Sequence, residues 1–217
     1  MESVWKKIEI EMDSVNWRGD PIHLTRVPAL QNTRTGRIAI DPEAVSRAEL
    51  RVLADQEGIE PRDLPLFMLL CVKVGPVQQG YIHHRYRLNK MLFYQWKELE
   101  KEGLGEAFNH DNFVAKEKGP VPEHLEEDIK RLESNELVKV SLVQWGKTAR
   151  QCSKTTELTE KGLAIAKRIC SKVPEPFLKV SHEVKQELFP LDPLTIREKV
   201  HRDYPEYRRT YLEIDAE

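Results

Sequence analysis

The densest run of chemistry-bearing side chains is His83-His84-Arg85-Tyr86-Arg87, with Lys90 one turn further on. Two imidazoles and three cations at the start of a helix raise two chemistries, metal ligation and anion capture. Ligation fits poorly. Adjacent histidines on a regular element point apart, and no Cys or carboxylate stands nearby at ligand spacing. Anion capture fits better, because free backbone amides at a helix N-terminus already favour anions. Cations there oppose the helix dipole at a small cost. Arg85, Arg87 and Lys90 are therefore candidate anion-binding residues, against the plainer reading of a solvated surface cluster.

The remaining reactive types are scattered. His110-Asp111 lies in a loop, where Asx-turn chemistry explains it as well as catalysis does. Cys71 falls in the most apolar segment and reads as a small buried hydrophobe. Cys71, Cys152 and Cys170 are widely spaced and odd in number, so they imply no disulfide framework and suit a reducing, cytoplasmic setting. The glycines between Gly75 and Gly105 show no phosphate-loop spacing. No catalytic constellation emerges. The expectation is a binding protein without enzyme activity, metal or cofactor.

Composition sets the scale. The 217 residues suffice for one medium domain with extensions or two small ones. With 40% apolar and 32% charged residues, a real core sits under a heavily charged surface. A net charge of −2 does not by itself mark a nucleic-acid binder, so local charge must decide. The N-terminus carries no apolar signal core, and no stretch approaches a membrane span.

The elements that must hold these residues read as follows. Alternation over residues 5–12 predicts a strand, with shorter strands at 22–27 and 37–40 around a turn at 32–36. Asp41-Pro42 opens a helix that runs to about Gln56 and stops at Gly58. Residues 64–74, apolar almost all round, predict a buried helix. A loop at 78–84 leads into a helix over 85–101, with Leu88, Met91, Leu92, Gln95 or Trp96, and Leu99 inward. Residues 108–115 make a connection holding a short strand or a turn. Pro122 opens a helix with Leu125, Ile129 and Leu132 on one face. Strands at 137–143 and 154–158 flank a polar tip, and a helix follows with Leu163, Ala166, Ile169 and Cys170 inward. Residues 173–176 read as a Pro-rich linker. Helices at 180–188 and from Asp192-Pro193 to before Pro205 complete the chain. This predicts an α+β fold, mainly α. A winged-helix-like module at 61–172 would sit between an N-terminal β arm and helix (1–60) and a C-terminal helical extension (173–217).

Residues 87–94, RLNKMLFY, resemble the opening helix of the SocA-like antitoxin, or Panacea, domain. The match continues through Phe113 and Ala115, Gly119-Pro120-Val121, Leu125, Ile129 and Leu132, then Leu137-Val138. Related bacterial and archaeal winged-helix regulators are similar. The resemblance covers about residues 85–143. It implies a protein that binds a cognate toxin and sometimes regulates its own operon, and it implies no enzyme activity.

Charge separates the two partner classes. Residues 121–136, the segment a winged helix would place in the DNA groove, hold six acids against Lys130 and Arg131. Phosphates would be repelled there. A basic protein partner would be attracted, so Glu123, Glu126 and Glu127 are candidate partner contacts, with Tyr94 and Trp96 beside them. Residues 146–172 invert the sign, with seven bases against two acids. Lys147, Arg150 and Lys154 are the candidate DNA contacts of an alternative regulator reading, since wing cations can grip phosphates without reading bases. Trp145 reads as a core anchor under the hairpin. The segment after Pro176 is the candidate for self-association as a homodimer.

Overall fold

A computed structural model describes residues 4–16, 19–75, 80–105, 113–116, 118–144 and 152–207. Among the described residues, seven α-helices and small antiparallel sheets give an α+β fold that is about 52% helical.

The alternating N-terminal segment forms β1 (Trp5–Val15), β2 (Pro21–Asn32) and β3 (Ile38–Ile40), paired antiparallel in that order. The first two run further than alternation alone predicts. β2 carries a bulge: Ile10 pairs with Val27, but Met12 pairs with Leu24. Arg26 takes a left-handed φ of 52° within it. The extra residue lets Leu24 and Val27 face the same way, and both are fully buried. The turn after β2 is held by the Asn32 side-chain oxygen, which accepts from the amides of Arg34 and Thr35.

α1 (Pro42–Glu57) starts where Asp41 accepts from the Glu43 amide at 3.0 Å and ends at left-handed Gly58. It has two apolar stripes. Ala44 and Ala48 cover Leu24 and Val27 of the sheet. Leu50, Leu53 and Ala54 join the main core. A 3-10 turn (Pro61–Asp63) leads into α2 (Leu64–Cys71), every residue of which is buried. α2 is shorter than its apolar run, because Val72 turns extended. The Lys185 ammonium donates to the carbonyls of Leu70 and Val72 and satisfies that end.

The expected loop before residue 85 contains β4 (Tyr81–Ile82), and α3 (Arg85–Lys101) follows with the expected bounds. β5 (Phe113–Val114) pairs with β6 (Val121–Pro122). Pro122 therefore lies in a strand, and α4 begins later, at Leu125, and ends at Ser134. Proline suits the two-stranded pair because it has no N–H to leave unmatched. β7 (Val138–Gln144) and β8 (Cys152–Leu158) form a hairpin whose sheet has the order β4-β8-β7.

α5 (Glu160–Lys172) begins with a close approach. A Cβ on Gly162 would stand 1.9 Å from the Leu137 carbonyl oxygen. Thr159 fixes that contact by donating to the Glu136 carbonyl and accepting from the Gly162 amide. Gly162, Ile165, Ala166 and Ile169 face inward, and Leu163 and Cys170 are only partly covered. The expected linker shrinks to Val173-Pro174, because α6 (Glu175–Leu188) takes Pro176 into its first turn, where a missing N–H costs nothing. α7 (Pro193–Asp203) is capped by Asp192. Phe177, Val180, Val184, Leu188, Ile196 and Val200 belong to the same core cluster as α2 and α3. The helices α6 and α7 are thus built into the core. Among the described residues no helix is long and apolar enough to cross a membrane.

Candidate functional site

The basic run at the start of α3 is spent on contacts inside the fold. Lys90 is fully buried, and its ammonium donates to the Pro120 carbonyl at 2.5 Å. It also lies 4.9 Å from the Tyr86 ring centroid. Gly119, at φ 88°, leaves room for it, since a Cβ there would come within 3.3 Å of the Lys90 nitrogen. Burial pushes the ammonium down to about 7. Lys90 is therefore a structural tie, and not the surface anion ligand that its position in the run suggests.

The two arginines reach other elements. Arg85 approaches the Glu126 carboxylate of α4 at 3.1 Å. Arg87 donates to the Leu191 carbonyl at 2.8 Å and lies over the Phe189 ring. Arg85 Nη1 and Arg87 Nε are buried without a hydrogen-bond partner among the described residues. His84 takes a left-handed φ of 66° and caps α3 with no side-chain bond. His83 Nδ1 lies 2.9 Å from the Thr155 hydroxyl of β8. Cations gather at this helix start because α4, the α6–α7 connection and the Gly119-Pro120 segment all converge on it.

The aromatic pair divides. Tyr94 is buried and donates its hydroxyl to Asp203 at 2.9 Å, so it is not a surface contact residue. Burial opposes the Asp203 charge, yet bonds from Arg202, Lys199 and Tyr94 hold it down to about 2. Trp96 is half-buried, stacked on Phe113 with centroids 5.1 Å apart. The Lys97 ammonium sits 4.0 Å over its ring.

α4 sorts its charges by face. Asp128 turns inward to Arg62 and Arg131, at 3.0 and 3.1 Å. Arg131 forks onto buried Asp63 with bonds of 3.0 and 2.8 Å. These two of the α4 charges are therefore unavailable to a partner. Glu126, Glu127, Lys130 and Glu133 face outward, and Glu123 is exposed just before the helix. Glu126 also lies 3.3 Å from the Lys154 ammonium. The acidic helix and the hairpin meet here and at Glu133, whose carboxylate accepts from the Val140 amide of β7 at 3.2 Å. Trp145, Lys147 and Arg150 lie outside the described residues, as do His110 and Asp111.

No family model, curated protein or solved structure matches the chain.

Two charged residues that matter structurally escape pattern reading. Lys185 is fully buried among the inward residues Ser181, Val184 and Leu188 of α6. Glu49 is buried on α1 beside Ala48. The available signal is the same for both, a charge at an apolar position of a helical stripe.

Proposed function

We propose that the chain is an antitoxin-like protein-interaction module with a winged-helix core. It binds a basic partner protein, a cognate toxin, and performs no reaction. The observation that carries this reading is the acidic surface at the start of α4, where Glu123 and Glu127 are exposed and Glu126, though paired with Arg85 and Lys154, is also exposed. Such a face repels phosphates and favours encounter with a basic protein surface. Two further features support it. The order β4, α3, β5, β6, α4, β7, β8, with the strand order β4-β8-β7, supports reading the β7–β8 hairpin as a wing after the helices α3 and α4. The two halves of the SocA-like resemblance, the α3 motif and Gly119-Pro120-Val121, are joined by the Lys90–Pro120 bond.

The test is co-expression with the product of the adjacent gene, followed by affinity capture and a growth assay. Capture and relief of toxicity are expected. A Glu123→Lys, Glu127→Lys variant should lose both while keeping its helical spectrum. A neighbour that is neither bound nor toxic removes the antitoxin reading. A salt-sensitive gel shift on the upstream DNA, lost in Lys154→Glu, would replace it with the regulator reading.

A further inference from the structure

Cys71 is the last residue of α2, and Cys170 lies in the last turn of α5, a helix that packs on α2. The two thiols are hydrogen-bonded to each other. Cys71 is buried, and the partly exposed Cys170 is the opening of the pair to solvent. The third cysteine, Cys152, is exposed on β8.

A buried cation completes the cluster. The Lys185 ammonium donates to the carbonyls of Leu70 and Val72, the residues on either side of Cys71. Burial takes Lys185 down to about 8, and the charge of both sulfurs works against that fall. The bond to Cys71, together with burial, pushes the Cys170 thiol up. Cys170 is therefore the S–H donor of the pair. Cys71 is the sulfur on which negative charge settles, beside an ammonium. A thiolate next to a cation is the nucleophilic form of cysteine. A second thiol in contact with it diverts a sulfenic acid into a disulfide before higher oxidation.

We propose that Cys71 and Cys170 are a reversible dithiol–disulfide pair, oxidised by a hydroperoxide, that locks α2 to α5. The Cys71 sulfur attacks a peroxide oxygen and the O–O bond breaks. With hydrogen peroxide one water leaves, and Cys71 becomes a sulfenic acid. The Cys170 sulfur then attacks the Cys71 sulfur. The S–S bond forms, the S–O bond breaks, and the hydroxyl leaves with the Cys170 proton as a second water. Two thiols and one peroxide give one disulfide and two waters, with two electrons passing from sulfur to oxygen. A small dithiol reverses the step by exchange and is itself oxidised to a disulfide. This inference is independent of the partner-binding surface on α4.

The test uses the full chain carrying Cys152→Ser, a surface change that leaves the pair intact. The folded protein is treated with hydrogen peroxide, then unfolded in N-ethylmaleimide, weighed intact and digested without reductant. The expected product has lost two hydrogens, takes up no maleimide, and yields a linked peptide pair containing Cys71 and Cys170. Dithiothreitol should restore two maleimide sites. The urea midpoint of the oxidised form should lie above that of the reduced form, because closing a long loop restricts the unfolded chain. Both thiols still taking maleimide after treatment overturns the proposal. So do sulfinic acids in place of the linkage, a linkage that forms only in urea, or a midpoint that the linkage fails to raise.

Discussion

Lys90 and Pro120 are thirty residues apart in the chain, and the Lys90 ammonium donates to the Pro120 carbonyl in the interior. The bond fixes the segment between β5 and α4 against α3. Removing the side chain leaves both a hole and an orphaned carbonyl. Lys90→Ala should therefore cost about 3 kcal/mol. Lys90→Met keeps the volume and removes the buried charge, so it should cost about 1 kcal/mol or less. Urea unfolding of the two variants checks this, and equal costs would refute the role given to volume.

Stability should rise with pH on the alkaline side of neutrality. Burial holds Lys90 down to about 7 and Lys185 down to about 8. In the unfolded chain both are ordinary lysines near pKa 10.4. Between those limits the unfolded chain binds protons that the folded chain has lost, so unfolding becomes harder as pH rises. Below about pH 7 both states are protonated at Lys90 and its contribution is flat. Burial raises Tyr86 to about 12 and raises Tyr94 as well. Unfolded tyrosines ionise first, so the trend reverses above about pH 10. Denaturant titrations from pH 6 to 11 should show an alkaline maximum, with a gain on the order of a few kcal/mol. Lys90→Met should flatten part of the rise.

Arg131 holds two acids in the interior, Asp63 at the start of α2 and Asp128 within its own helix. Arg131→Ala strands buried Asp63 and should cost about 3–5 kcal/mol. Adding Asp63→Leu should recover much of that loss, since an apolar replacement of a buried pair is often neutral. A double-mutant cycle in urea measures the coupling. Additive costs would show that the fork contributes little.

Gly162→Ala should destabilise by about 3 kcal/mol or more, because backbone and not a flexible side chain occupies the space. Thermal unfolding checks it, and a variant with native stability would mean that α5 can slide away from β7.

The sequence makes the regular elements readable wherever one period dominates. The alternation from Ile8 to Met12 and the stripe from Leu88 to Leu99 mark β1 and α3 directly. The Asp41-Pro42 and Asp192-Pro193 caps mark the starts of α1 and α7. Reading fails where a tertiary partner decides. Val72 looks helical until Lys185 takes its carbonyl. Pro122 looks like a helix start until β5 pairs with it. Pro174 and Pro176 look like a linker, yet the Phe177 face of α6 is needed by the core.

Candidate site residues divide in the same way. Glu123 and Glu127 stay exposed as local charge suggests. Tyr94, Lys90 and the α3 arginines have partners 30 to 109 residues away. No window of the sequence contains both members of those pairs.

The vacancy at Gly162, filled by the Leu137 carbonyl, also sets a condition on evolution. Any chain that reproduces the α5–β7 contact must leave that helical position without a side chain, two residues into the helix that follows the hairpin. A glycine there, three residues after a hydroxyl-bearing cap, is a fingerprint by which distant kin could be recognised even where overall similarity has faded.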